Sequence, residues 1–164
     1  MNLNQGMIEN QKIKNTTPKE FNGTLFKSTI EVMVYKTLFQ YGFKPDYEKI
    51  TFLLVKGFKP TIPFYIKKRG KFGLMQYKLR DSTYTPDFTF QYKGFLIIIE
   101  VKGFANDVFP LKFKMFRKLL ESYPEKCILF EVFNKKDILN TIEIINNIPD
   151  YDRENKSSDK EVTC

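Results

Sequence analysis

A chain of 164 residues with 27 Lys and Arg against 19 Asp and Glu is one domain of ordinary size, and its charge of +8, with 17 Phe and 9 Tyr, favours an anionic partner such as nucleic acid. It contains no histidine, which excludes His-based triads, His-ligated zinc and histidine general bases, so any catalysis must run on carboxylates, lysine and metal. Cys127 and Cys164 lack metal-ligand spacing, and the longest apolar run, Phe95 to Ile99, is too short to span a bilayer, so a soluble cytoplasmic protein without a disulfide framework is expected.

Residues 1–20 read as a flexible arm, Met1 to Thr17 being rich in Asn, Gln and Lys without periodicity. From Thr24 to Tyr41, Phe26, Ile30, Met33, Val34, Leu38 and Tyr41 recur at helical spacing, and Gly42 supplies a stop. Glu31 leaves this helix near the edge of its buried face, and periodicity alone makes it a solvated helix acid. Asp46 to Val55 reads as a strand. Lys49 to Arg80 then holds nine basic residues and no acidic one, interleaved with aromatic residues. Within it Lys67-Lys68-Arg69-Gly70-Lys71 predicts a hairpin with a basic tip between Ile62–Ile66 and Leu74–Tyr77. Lys67, Lys68, Arg69 and Lys71 suit the DNA phosphate backbone; the alternative is a solvated edge hairpin whose lysines prevent aggregation.

Two strands, Thr85 to Tyr92 and Phe95 to Val101, are predicted around Lys93-Gly94, a tight hairpin signal. Centred there, the hairpin makes Asp87 and Glu100 direct cross-strand neighbours, and alternation puts Lys102 on the face of Glu100. Like charges opposite each other destabilise a sheet unless something positive lies between them, and a divalent cation together with Lys102 would provide it. The plainer alternative for Lys102 is an ion pair with one of the acids. A helix follows from Pro110 to Tyr123, with Leu111, Met115, Phe116, Leu119 and Leu120 as its apolar stripe. Its Lys112 and Lys114 are either phosphate contacts or a solvated face. Lys126 to Phe133 reads as a strand, Lys135 to Ile148 as an amphipathic helix, and residues 149–164 as a disordered charged tail.

Pro86-Asp87 followed by Glu100-Val101-Lys102 resembles the signature of the PD-(D/E)xK nuclease superfamily. The resemblance is closest to small phage-encoded endonucleases, including the bacteriophage endonuclease I group that resolves Holliday junctions. It also reaches a phage nuclease family whose helix entry is Phe-x-Ser-x-x-Glu, here Phe26-Lys27-Ser28-Thr29-Ile30-Glu31, and whose Val-Lys-Gly leads into a Lys-rich helix. The likeness covers Phe21 to about Phe133. It implies an α/β (α+β) fold with a mixed sheet, a restriction-endonuclease-like αβββαβ core within residues 21–148, and a basic β-hairpin insertion. It implies Mg²⁺, with Mn²⁺ able to substitute, held by Asp87, Glu100 and the carbonyl of Val101, with Glu31 completing the site directly or through water. Lys102 would orient the attacking water and stabilise developing charge. The implied activity is a Mg²⁺-dependent endodeoxyribonuclease acting on branched DNA in a bacterial host cytoplasm, where paired cuts across a junction suit a homodimer. A nuclease that nicks or degrades duplex DNA is the alternative enzyme. A noncatalytic nucleic-acid-binding module is the alternative of another class, although a pure binder gains nothing from carboxylates beside phosphate.

Overall fold

The computed structural model describes residues 18–75, 77–103 and 109–150; the sequence expectations for residues 1–17 and 151–164 lie outside the described residues. In chain order the elements are β1 (Lys19–Phe21), β2 (Thr24–Phe26), α1 (Thr29–Gln40), β3 (Asp46–Tyr47), β4 (Phe52–Val55), β5 (Phe64–Lys68), β6 (Lys71–Met75) and β7 (Ser82–Tyr84). They continue with β8 (Phe88–Tyr92), β9 (Phe95–Val101), α2 (Phe109–Leu120), β10 (Cys127–Val132) and α3 (Lys135–Asn147). The fold is mixed α+β, with a four-stranded mixed sheet in the order β10-β9-β8-β3 and three two-stranded pairs. Among the described residues no helix is long and apolar enough to cross a membrane.

Strand β9 is apolar from Phe95 to Ile99 because both faces of the sheet are covered there. Ile97 and Ile99 pack with Phe88, Phe90 and Val132 against Val34 and Leu38 of α1 and Ile138, Ile142 and Ile145 of α3. The alternate residues, Leu96 and Ile98, face the other way, into a second cluster with Phe52, Tyr84 and Phe113 and Phe116 of α2. Each fully buried isoleucine is worth about 1.5–3 kcal/mol relative to exposure, so this strand holds both layers in place. Glu100 is the next residue on the α2 face, and the same alternation that builds the core delivers it to the end of the sheet.

The hairpin register is the one expected from Lys93-Gly94, running from Tyr92↔Phe95 to Phe88↔Ile99. Both turn residues take positive φ, 49° and 80°, as a two-residue turn matched to strand twist requires. The same turn chemistry overturns an expectation near the N-terminus. Asn22 and Gly23, at φ 50° and 74°, join β1 to β2, so Lys19 and Glu20 are paired strand residues rather than arm, and Thr24–Phe26 is strand rather than helix. Helix α1 starts at Thr29 because Ser28 caps it, its hydroxyl accepting from the Glu31 N–H.

The strand expected over Asp46 to Val55 is two strands in different sheets, broken where Glu48 adopts φ 45°. Its second half, β4, pairs with β7, a strand that composition did not suggest. The strand expected from Thr85 begins at Phe88, since Pro86 has no N–H with which to extend the ladder. The helix expected to reach Tyr123 ends at Leu120.

The basic hairpin β5–β6 forms as expected, turning at Arg69-Gly70. Its base is closed by Leu79 N–H donating to Phe58 O at 2.8 Å and by Gly57 N–H donating to the Asp81 carboxylate at 2.6 Å. Only glycine fits at position 57, where a Cβ would lie 2.5 Å from Leu79 O. Gly57→Ala is therefore expected to cost about 1–3 kcal/mol, as an overpacked contact with rigid backbone does, and to speed tryptic cleavage between Lys59 and Arg80. An unchanged melting temperature with unchanged digestion would show that the hairpin base does not hold the excursion.

Candidate metal centre

The site lies where β8 stops and β9 continues. The last ladder pair is Phe88↔Ile99, and two positions further the register sets Pro86 opposite Val101. Leu96 and Lys102 donate their N–H groups to Lys126 O and Val132 O of the β10 side, so Val101, one residue out of phase, turns its N–H and C=O toward the β8 side. Pro86 can donate nothing there. The Asp87 carboxylate takes the Val101 N–H instead, at 2.6 Å, while the Val101 carbonyl has no ladder donor opposite it. Asp87 is held from behind by its own carbonyl, which accepts from Glu48 N–H at 2.9 Å. The register thus points Asp87 toward Glu100 as expected, but Asp87 precedes β8, and its carboxylate caps the neighbouring strand rather than standing in a regular cross-strand pair.

Glu100 is buried, with 8% of its surface exposed. One carboxylate oxygen accepts from Lys102 Nζ at 2.7 Å; the other is buried without a hydrogen bond of good geometry, with the Tyr84 hydroxyl as its polar neighbour. Lys102 shares the face of Glu100, as alternation requires, and its ammonium also sits 2.9 Å from the centre of the Phe109 ring. The Tyr84 hydroxyl is buried beside Glu100, close enough that a hydrogen bond between the two acts on both groups. Burial first, and the Glu100 charge second, push that phenol well above its ordinary range.

The electrostatics follow from this crowding. The Asp87 carboxyl is pushed up to about 8, first by its partly buried setting and then by the charge of Glu100, against the opposing Val101 N–H and Lys102. Glu100 is also raised, by burial, with Lys102 as the main opposing influence. The pair therefore retains a proton near neutrality unless more positive charge arrives. Two crowded carboxylates and a carbonyl form a set of hard oxygen donors, which fits Mg²⁺ or Mn²⁺. Among the described residues no group of three or more His, Cys, Asp or Glu side chains is gathered to hold a metal. Two carboxylates and a carbonyl still suit Mg²⁺, which is bound by few protein ligands and keeps several waters.

Glu31 is buried rather than solvated. Its oxygens accept from Ser28 Oγ at 2.8 Å, from Tyr47 OH at 2.6 Å and from Lys27 N–H at 2.9 Å, and its charge adds to the upward push on Asp87. The structure thus brings Asp87, Glu100, Lys102 and Val101 together and places Glu31 beside them with its hydrogen bonds already made. Lys112 directs its ammonium to Thr83 O at 3.4 Å, while Lys114 is exposed. Lys67, Lys68, Arg69 and Lys71 are exposed on the hairpin.

Two nearby residues carry no chemistry in the sequence reading. Glu131 lies opposite Glu100 in the parallel register of β9 and β10, and its charge also acts on Tyr84. Parallel register across a helical crossover has no local signal in sequence. Tyr84, three residues before Asp87, reads from sequence as only shaping the strand; it ends β7 and borders the α2 side of the site. Comparison with protein-family models, with curated proteins and with solved structures gives no match to the chain.

Proposed function

We propose that the chain is a Mg²⁺-dependent endodeoxyribonuclease that hydrolyses phosphodiester bonds in DNA, with branched DNA such as a Holliday junction as its substrate. The observation that carries the reading is the Asp87–Glu100 pair, both carboxyls raised and crowded at the end of the sheet, with the Lys102 ammonium alongside. The order α1, β3, β8, β9, α2, β10 supports it, since it follows the αβββαβ sequence of the restriction-endonuclease-like core with β4 to β7 as an insertion. Asp87, Glu100 and the Val101 carbonyl would hold the cation, and Glu31 adds negative charge on the Asp87 side. When bound, the cation polarises the scissile phosphate and makes water a stronger nucleophile. Lys102, already desolvated against Phe109, donates to a phosphate oxygen or to the charge that develops on it.

The test is cleavage of a labelled four-way junction, a nicked duplex and a linear duplex, with Mg²⁺ and with EDTA. Symmetric Mg²⁺-dependent cuts confined to the junction are expected. Equal cutting of all three would make the chain a general duplex nuclease, and binding without cutting would leave a noncatalytic module. Paired cuts across a junction suit a two-fold dimer, and the hairpin supports one: Phe64, Tyr65, Ile66 and Phe72 are exposed on its two faces, and a bare two-stranded hairpin is marginal in water.

The hairpin tip is assigned to phosphate. Replacing Lys67, Lys68, Arg69 and Lys71 together by Ala is expected to weaken binding to every DNA tested. It should also lower the slope of log K against log salt by up to about 3.6, roughly 0.9 for each phosphate that is no longer neutralised. An unchanged slope in a salt titration of binding would return these residues to the role of a solvated edge.

A further inference from the structure

A cleft of about 540 Å³ opens beside the carboxylate pair, on the α2 side, within the usual size range of small-ligand sites. Its wall is mostly apolar and aromatic, from Phe109, Phe113 and Phe133, while Lys102, Lys114 and Arg117 set three cations around it against the single carboxylate of Glu131. Lys102 belongs to both places: its ammonium binds Glu100 at 2.7 Å and lies over the Phe109 ring. Phe109 also stacks against Phe113, their ring centres 5.0 Å apart. Phe133 differs. It is 54% exposed, and its backbone is pinned by the N–H that donates to Asp137 Oδ2 at 3.0 Å, between the end of β10 and the Asn134 cap of α3. An aromatic platform fixed to rigid elements and ringed by cations matches the chemistry of a nucleotide, with a π-face to stack and an anion to pair.

We propose that this cleft receives one unstacked nucleobase of the DNA strand being cut, stacked on Phe133, with the adjoining phosphate directed to Lys102 and with Lys114 and Arg117 on neighbouring phosphates. The inference rests on the nuclease reading and deepens it. It explains how an enzyme without base-specific signals would favour branched DNA: a base at a junction, bulge or end leaves the helix at little cost, whereas one inside a duplex does not.

The experiment uses the full chain carrying Asp87→Asn, in EDTA so that DNA stays intact, and three duplexes: fully paired, with one bulged thymine, and with an abasic residue at the bulge. Fluorescence anisotropy is expected to show the bulged thymine bound roughly tenfold more tightly than the paired duplex, and the abasic bulge without that gain. Permanganate should oxidise the bulged thymine in free DNA and spare it in the complex. Adding Phe133→Leu, which keeps apolar bulk at a half-exposed position, should abolish the gain and the protection, and Phe133→Tyr should keep both. Equal binding of thymine and abasic bulges, or a Phe133→Leu protein that behaves like its parent, overturns the base site; if wild type still cuts DNA with Mg²⁺, the nuclease reading survives. Failure of Asp87→Asn to bind any duplex, together with failure of wild type to cut any, overturns both.

Discussion

Glu100→Gln is expected to lower Mg²⁺-dependent cleavage by about a thousandfold or more while the protein stays folded. The substitution preserves shape and one acceptor oxygen and removes only the charge. In the native chain that charge is shared between Lys102 at 2.7 Å and any cation that meets the second oxygen, beside the Tyr84 hydroxyl. Gln cannot neutralise both, so Mg²⁺ affinity, read by calorimetry, should fall together with activity. Stability should change little, because the cost of burying a carboxylate disappears as Lys102 gives up its charged partner. Lys102→Met separates the roles: it should reduce cleavage by about a hundredfold or more and leave Mg²⁺ binding in place or tighter, since a competing cation is gone. Asp87→Ala should resemble Glu100→Gln in activity but cost more stability, because the Val101 N–H is left without its acceptor. Cleavage within tenfold of wild type for any two of the three would remove the chemistry from this site.

The parts of the molecule that could be read from sequence are those specified by neighbours along the chain. The apolar alternation of Phe95 to Val101, the Lys93-Gly94 turn and the stripe of Lys135 to Ile148 each carry their own signal, and the resulting register points Asp87 toward Glu100. Errors arose where one residue's backbone decides. Asn22-Gly23 makes a hairpin of a segment whose Phe26 fits a helical stripe, because Phe26 serves the same core from β2, fully buried against Tyr35, Tyr47 and Phe88. Glu48 at positive φ cuts a continuous apolar-rich run into two sheets, and this gives β7 its partner. The surroundings of the acids were hidden for a different reason. Tyr84, Glu131 and the Tyr47 bond to Glu31 are contacts between elements distant in sequence, fixed by packing alone.

Without a divalent cation, the melting temperature should fall as pH rises from about 5 to 8, and Mg²⁺ should raise it by more at pH 8 than at pH 5. Asp87 moves from an ordinary 3.8 to about 8 on folding. The folded chain therefore holds a proton that the unfolded chain has already released, and folding takes one up between those values. The contribution is complete below the unfolded value and is lost as pH rises through the folded one; Glu100, also raised, acts in the same direction. A cation bound to the deprotonated pair would displace that proton and offset the repulsion, most strongly where repulsion is largest. The absence of histidine makes the measurement clean, because no other unperturbed side chain titrates over this interval, and Cys127 is raised above its ordinary range. Asp87→Asn should flatten the slope and remove most of the Mg²⁺-dependent gain, with about 1 kcal/mol appearing as roughly 2–4 °C in a domain of this length. A flat profile in wild type would mean that the two carboxylates do not share a poorly solvated site. In that case the second oxygen of Glu100 faces water, and the case for a cation at the end of β9 fails before any DNA is added.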